Sequence, residues 1–154
     1  MTMKRRGHII LAFSYDPNSP VSRVIRYMTR GTYSHVALVY GDEAIESSGG
    51  SRPRGVRLVP TAAVVRRPNC VLRRIPHPRP RAVFNAARTQ LGKPYDYLYL
   101  LGWIFRRKWQ DPRMWVCHEL IVWAAAQAGR PIIDMERIKW LTVDHLYLIS
   151  ESVE

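Results

Sequence analysis

Cysteine is scarce in this chain: Cys70 and Cys117 are the only two among 154 residues. They could form one disulfide at most, so a secreted scaffold stapled by several disulfides is excluded. Long apolar runs are also missing. The longest, Tyr97 to Phe105, is about half of the roughly 20 residues that a membrane-spanning helix needs. Met1 to Arg6 is basic, but the apolar run behind it covers only Ile9 to Phe13, and no small-residue cleavage site follows. That pattern is unlike a signal peptide and leads us to expect reduced thiols and a cytoplasmic location. A role outside the cell would then require a carrier. Acidic residues are few, with 12 Asp and Glu against 24 Lys and Arg, for a formal net charge of +12. An anionic membrane or wall polymer is one partner that such a balance suits. The arginines are scattered, with no helix-turn-helix pattern and no aromatic-interleaved RNA motif, which disfavours nucleic acid. No period of about 20–50 residues repeats.

The length suits one domain over residues 1–154. A strand-rich half, 7–75, precedes a helix-rich half, 82–154. Gly7 to Phe13 reads as a buried strand. Ser19 and Pro20 then supply an N-cap and a first-turn proline for a helix that Gly31 can end. His35 to Tyr40 is apolar on both faces and reads as a central strand, with Glu43 to Ser47 as its hairpin partner across Gly41-Asp42. Ser47 to Ser51 reads as a loop, and Val56 to Val59 and Cys70 to Ile75 as strands. Three prolines make 75–81 an irregular connector. A helical stripe follows from Val83 to Leu91. The clearest helix has Cys117, Leu120, Ile121, Ala124, Ala125 and Ala128 on one face and stops at Gly129. Strands followed by helices imply an α+β domain with an antiparallel sheet packed against helices.

Cys117 opens that helical stripe. A helix start carries unpaired N–H groups and about half a positive charge, which favours thiolate over thiol and offers donors to an oxyanion. The plainer alternative is a small residue packed in a core. Cys70, in a strand with no helix start nearby, reads as structural.

A thiol nucleophile needs a base, and the base an orienting acceptor. Of five histidines, His118 adjoins Cys117, but consecutive helical positions point about 100° apart, which directs its ring away from the sulfur. His77 lies in the proline connector, and His8 and His145 lack polar company. His35 begins the central strand. With Gly41-Asp42 as a two-residue loop, Tyr40 pairs with Glu43 and Ala37 with Glu46, so His35 and Glu46 share a face as diagonal neighbours. A three-residue loop would reverse that parity. The pattern also leaves open Glu46 as a solvated loop-edge residue and His35 as a satisfied core histidine.

Gly7-His8-Ile9-Ile10-Leu11, Ser34-His35-Val36-Ala37-Leu38-Val39 and Ala44-Ile45-Glu46 resemble the first half of the YiiX-like proteins, the circularly permuted branch of the NlpC-type papain-like cysteine peptidases. Gly92-Lys93-Pro94-Tyr95-Asp96 and Trp115-Val116-Cys117-His118-Glu119-Leu120-Ile121 resemble that family's second half. The resemblance implies a permuted papain-like fold, with Cys117 as nucleophile, His35 as base and Glu46 as the third residue. It places Tyr95 and His118 near the oxyanion or substrate, although His118 stands where the family often has serine. It implies no metal and no cofactor. Its implied activity is a peptidase or amidase, with peptidoglycan as substrate and a phage particle as one delivery route. A lipid or thioester acyl hydrolase or transferase is the alternative, for which Tyr97, Tyr99, Trp103 and Phe105 with Arg106, Arg107, Lys108 and Trp109 would form an interfacial surface. A non-catalytic structural component that keeps the fold is the third reading.

Overall fold

The computed structural model describes residues 7–50, 52–97, 114–137 and 140–153. Within them the chain is α+β. The elements run β1 (His8–Ser14), α1 (Pro20–Thr29), β2 (His35–Tyr40), β3 (Glu43–Ser48), β4 (Gly55–Pro60), α2 (Thr61–Val65), β5 (Val71–Pro76), α3 (Pro80–Arg88), α4 (Cys117–Gln127), α5 (Val143–Leu148) and β6 (Glu151–Ser152). The strands form one six-stranded antiparallel sheet in the order β4-β3-β2-β1-β5-β6. The aromatic and basic stretch from Tyr99 to Trp109 lies outside the described residues.

The two-residue period of the strands divides the core. Ile9, Leu11 and Phe13 of β1 join Val36, Leu38 and Ile45 on one face, against Val83, Phe84 and Ala87 of α3 and Leu120, Ile121 and Ala124 of α4. Each of the Ile, Leu, Val and Phe side chains, fully buried, stabilises the fold by roughly 1.5–3 kcal/mol. The opposite face is thinner, with Ala12, Ala37, Val39 and Ala44 packing under Val64 of α2. No helix among the described residues is long and apolar enough to cross a membrane.

Several boundaries differ from the sequence expectations. The proline connector is shorter than 75–81: Pro76 closes β5 opposite His8, and Pro80 opens α3. Proline has no N–H to lose at a helix's first position, so it starts a helix as readily as it breaks one. α1 ends on Arg30, which itself takes the left-handed conformation (φ 52) expected of Gly31. Gly31 serves a close approach instead, because a Cβ there would lie 1.9 Å from Asp144 Oδ2. β3 runs through Ser48, one residue into the expected loop. Cys70 lies just before β5 and not within it. The short helices α2 and α5 gave no periodic signal. α5 is set by Thr142, whose Oγ1 accepts from His145 N at 3.4 Å, while His145 Nδ1 accepts from Thr142 N at 2.9 Å. His145 therefore has the polar company that the sequence did not suggest.

Candidate active site

Cys117 is the first residue of α4, and no side chain caps this helix start. Three hydrogen bonds link this helix start to the sheet. Ser47 Oγ donates to Trp115 O at 2.6 Å, Trp115 N donates to Pro94 O at 3.1 Å, and Val56 N donates to Lys93 O at 2.8 Å. The last contact depends on Gly55, with φ +98, where a Cβ would come within 2.2 Å of Lys93 O. The helix start is thereby tied to β3 and β4, the strands nearest Glu46. Cys117 itself is buried, at 4% exposure.

The hairpin has the two-residue loop. Tyr40 pairs with Glu43, Val39 with Ala44 and Leu38 with Ile45, and Gly41 takes φ +60 at the turn. The resulting parity brings His35 and Glu46 together, with His35 Nε2 and Glu46 Oε2 2.6 Å apart. Glu46 is fully buried, whereas the His35 side chain keeps 21% exposure. With Nε2 committed to the carboxylate, Nδ1 is the ring nitrogen left for the Cys117 sulfur.

Burial opposes a charge on both the thiol and the imidazole, yet mutual contact outweighs it. Burial pushes the Cys117 thiol up, but hydrogen bonds and charge from His118 and His35 bring it down to about 5. Burial pushes His35 down, but hydrogen bonds to Cys117 and Glu46 and their charges raise it to about 9. Between those two values the favoured state is a thiolate beside an imidazolium. Burial also works against a charged Glu46, and hydrogen bonds from Arg67 and His35 override it, holding the carboxyl well below the ordinary carboxylate range.

The sequence reading missed Arg57 and Arg67. Arg57 faces Glu46 directly across the β3–β4 register and donates to Oε1 from Nε (2.9 Å) and Nη2 (2.7 Å). Arg67, in the turn after α2, donates from Nη2 to Oε1 at 2.8 Å and from Nη1 to Oε2. Had β4 been placed in register, Arg57 was findable, since residues opposite one another in a pair tend to complement in charge. Arg67 left no such signal.

His118 corrects the sequence expectation. Its ring does not point away: Nδ1 lies 4.0 Å from Cys117 Sγ, and the side chain is buried. At the first turn of a helix a ring can bend back towards its neighbour, and the 100° offset alone does not separate the two. Tyr95 is buried at 5% and packs against Gly49, where a Cβ would lie 2.8 Å from the ring. His77 is also buried, but its Nε2 meets Arg130 O at 3.0 Å and its Nδ1 accepts from Arg79 N at 3.1 Å, a purely structural role. Beside His35 opens a cleft of about 410 Å³ that Tyr95 also lines. Among the described residues, no group of three or more His, Cys, Asp or Glu side chains could hold a metal ion.

The arrangement has what acyl transfer needs: a thiol whose charge is favoured by its surroundings, an imidazole held by a buried carboxylate, and N–H donors at a helix start. Compared with protein-family models and with curated proteins, the chain matches none.

Proposed function

We propose that this protein is a cysteine hydrolase with a permuted papain-like fold of the YiiX and NlpC type, cleaving an amide bond in the peptide part of cell-wall peptidoglycan. The observation that carries the proposal is the 2.6 Å pairing of His35 with the buried Glu46, set beside a cysteine at the start of α4 whose thiol His118 and His35 bring down to about 5. The Cys117 thiolate attacks the carbonyl carbon, and N–H groups at the start of α4 receive the developing oxyanion. The His35 imidazolium gives its proton to the leaving amine as the C–N bond breaks, leaving a thioester on Cys117. The neutral His35 then takes a proton from water as the hydroxide oxygen adds to the thioester. Collapse expels the Cys117 thiolate, releases the acid and leaves His35 protonated as at the start. Glu46 holds the tautomer throughout.

The cleft favours a polar substrate over an acyl chain. Ser14, Ser19, Ser22, Ser34 and Ser48 line it together with Arg57 and Arg67. Such polar walls suit backbone amides better than an acyl chain. A route to the wall would be supplied by a phage particle or lysis apparatus.

The test is incubation with purified peptidoglycan and, in parallel, with phospholipid vesicles, using Cys117→Ala as control. New amino groups or soluble fragments from peptidoglycan, absent with the variant, are expected. Fatty-acid release from vesicles would move the assignment to lipid acyl chemistry. Full biological activity in Cys117→Ala would make the protein a non-catalytic component.

A further inference from the structure

We infer that Arg67 forms an anion subsite beside His35 and selects acyl substrates that carry a carboxylate near the scissile carbonyl. This rests on the hydrolase reading above and names the substrate class of that same site.

The argument begins with donors. A guanidinium has five N–H groups. Arg57 spends Nε and Nη2 on Glu46, and its Nη1 reaches Arg52 O at 3.1 Å and Pro53 O at 3.4 Å, so four contacts to protein oxygens hold it. Arg67 differs. Glu46 takes one hydrogen from each Nη, which leaves three N–H groups, the Nε–H among them. Its side chain is 26% exposed, against 14% for Arg57, and both line the cleft next to His35. Arg67 is therefore fixed in place by the buried carboxylate while presenting donors to the space a substrate must enter.

Charge points the same way. Glu46 is one carboxylate shared by two guanidiniums and an imidazolium. When Cys117 is acylated its negative charge is gone, and His35 has given up its proton. Those two charges vanish together, so before and after acylation Glu46 is the one carboxylate that pairs with the two guanidiniums. The lining also includes the Asp16 carboxylate, which accepts from Asn18 N at 2.8 Å within its own turn and, among the described residues, forms no ion pair with Arg57 or Arg67. A planar carboxylate on the substrate fits the N–H groups of Arg67 that Glu46 leaves over. The hydroxyl-rich walls are consistent with a peptide-like substrate around it.

The experiment uses thiol alkylation, because it needs no knowledge of the natural substrate. Rates of Cys117 modification are measured for N-iodoacetylglycine, N-iodoacetyl-β-alanine and N-iodoacetyl-6-aminohexanoate, each against its own neutral carboxamide. The acid is expected to react about tenfold faster than its amide at one preferred spacer length, as a charge-assisted contact would give. In Arg67→Gln that ratio is expected to fall to near 1 at the same spacer. Arg67→Lys keeps the charge without the fork and should retain only part of the preference. The ratio cancels changes in thiolate content caused by disturbing Glu46. Equal rates for acids and amides in the wild type, with fast reaction of both, would overturn the subsite and leave the nucleophile intact. A preference that is the same at every spacer, or that survives in Arg67→Gln, would assign it to the net charge of the protein and also overturn the subsite. Slow reaction with every reagent would overturn the hydrolase reading and the subsite together. Should Arg67→Gln fail to fold, the dependence on spacer length in the wild type still decides between a site and a diffuse field.

Discussion

The two cysteines of this chain share a covalent structure and have opposite chemistry. Cys70 is half-buried before β5, against the small apolar layer of Ala12, Ala37, Val39 and Ala44, and burial pushes its thiol up, with Arg67 only partly opposing. Cys117 is more deeply buried, yet its thiol is brought down to about 5. Burial alone would make the deeper cysteine the more inert of the two. What reverses the order is company: two imidazoles, one of them charged through a carboxylate that two arginines hold ionised. The acidity of the thiol here follows a cluster of charges and not exposure.

That contrast can be broken most sharply at the sulfur. Cys117→Ala should lower hydrolysis by at least ~10³-fold, whereas Cys70→Ala should leave turnover within about twofold and cost at most ~1 kcal/mol of stability. Comparable losses from both variants, in paired activity assays and denaturant titrations, would refute the division of roles. Next in size is the third residue. Glu46→Gln keeps the shape of the side chain but removes the charge, so turnover should fall by about 10²–10⁴-fold. Because it leaves two partly buried guanidiniums without their anion, the fold should also lose roughly 3 kcal/mol. Urea denaturation of the purified variant measures that loss.

The pH dependence sharpens the comparison further. Alkylation of Cys117 should rise through a midpoint of about 5 and be near its plateau at pH 7, where Cys70 is still mostly thiol. Hydrolysis needs the thiolate, formed above about 5, and the imidazolium, lost above about 9, so its profile should be a bell between those values. Mass-spectrometric counting of modified peptides across pH separates the two cysteines, and equal midpoints would sink the claim. A smaller effect is expected at His118. Its removal in His118→Ala should raise the Cys117 midpoint and slow turnover by about tenfold, less than His35→Ala. The smallest is acid stability. Glu46 titrates below its ordinary carboxylate value in the folded state, so its contribution is present above about pH 4.3 and is lost as pH falls. The acid-unfolding midpoint of Glu46→Gln should accordingly be less steep in pH than that of the wild type.

Much of this arrangement was legible in the amino-acid order. Helical periodicity located α4 and put Cys117 at its start, and the Gly41-Asp42 turn fixed the parity that joins His35 to Glu46. Ser19 and Pro20 marked the start of α1. These are local rules, in which residues a few positions apart decide the outcome. α2 and α5 were missed because five or six residues are too few for a period to declare itself. Pro76 and Pro80 were misassigned because proline's rule depends on where in an element it falls.

The sequence by itself determined five of the six strands, the hairpin register and the position of a cysteine at a helix start, since each follows from backbone sterics and a short apolar period; the two-residue β6 gave no such signal. Only the tertiary structure decided that the helix start lies against β3 and β4, that His118 turns to the sulfur, and that Arg57 and Arg67 clamp Glu46. Apart from the neighbours His118 and Cys117, those contacts join residues 11 or more positions apart, and their strength comes from a shared low-dielectric interior that exists only once the sheet and helices have closed over it.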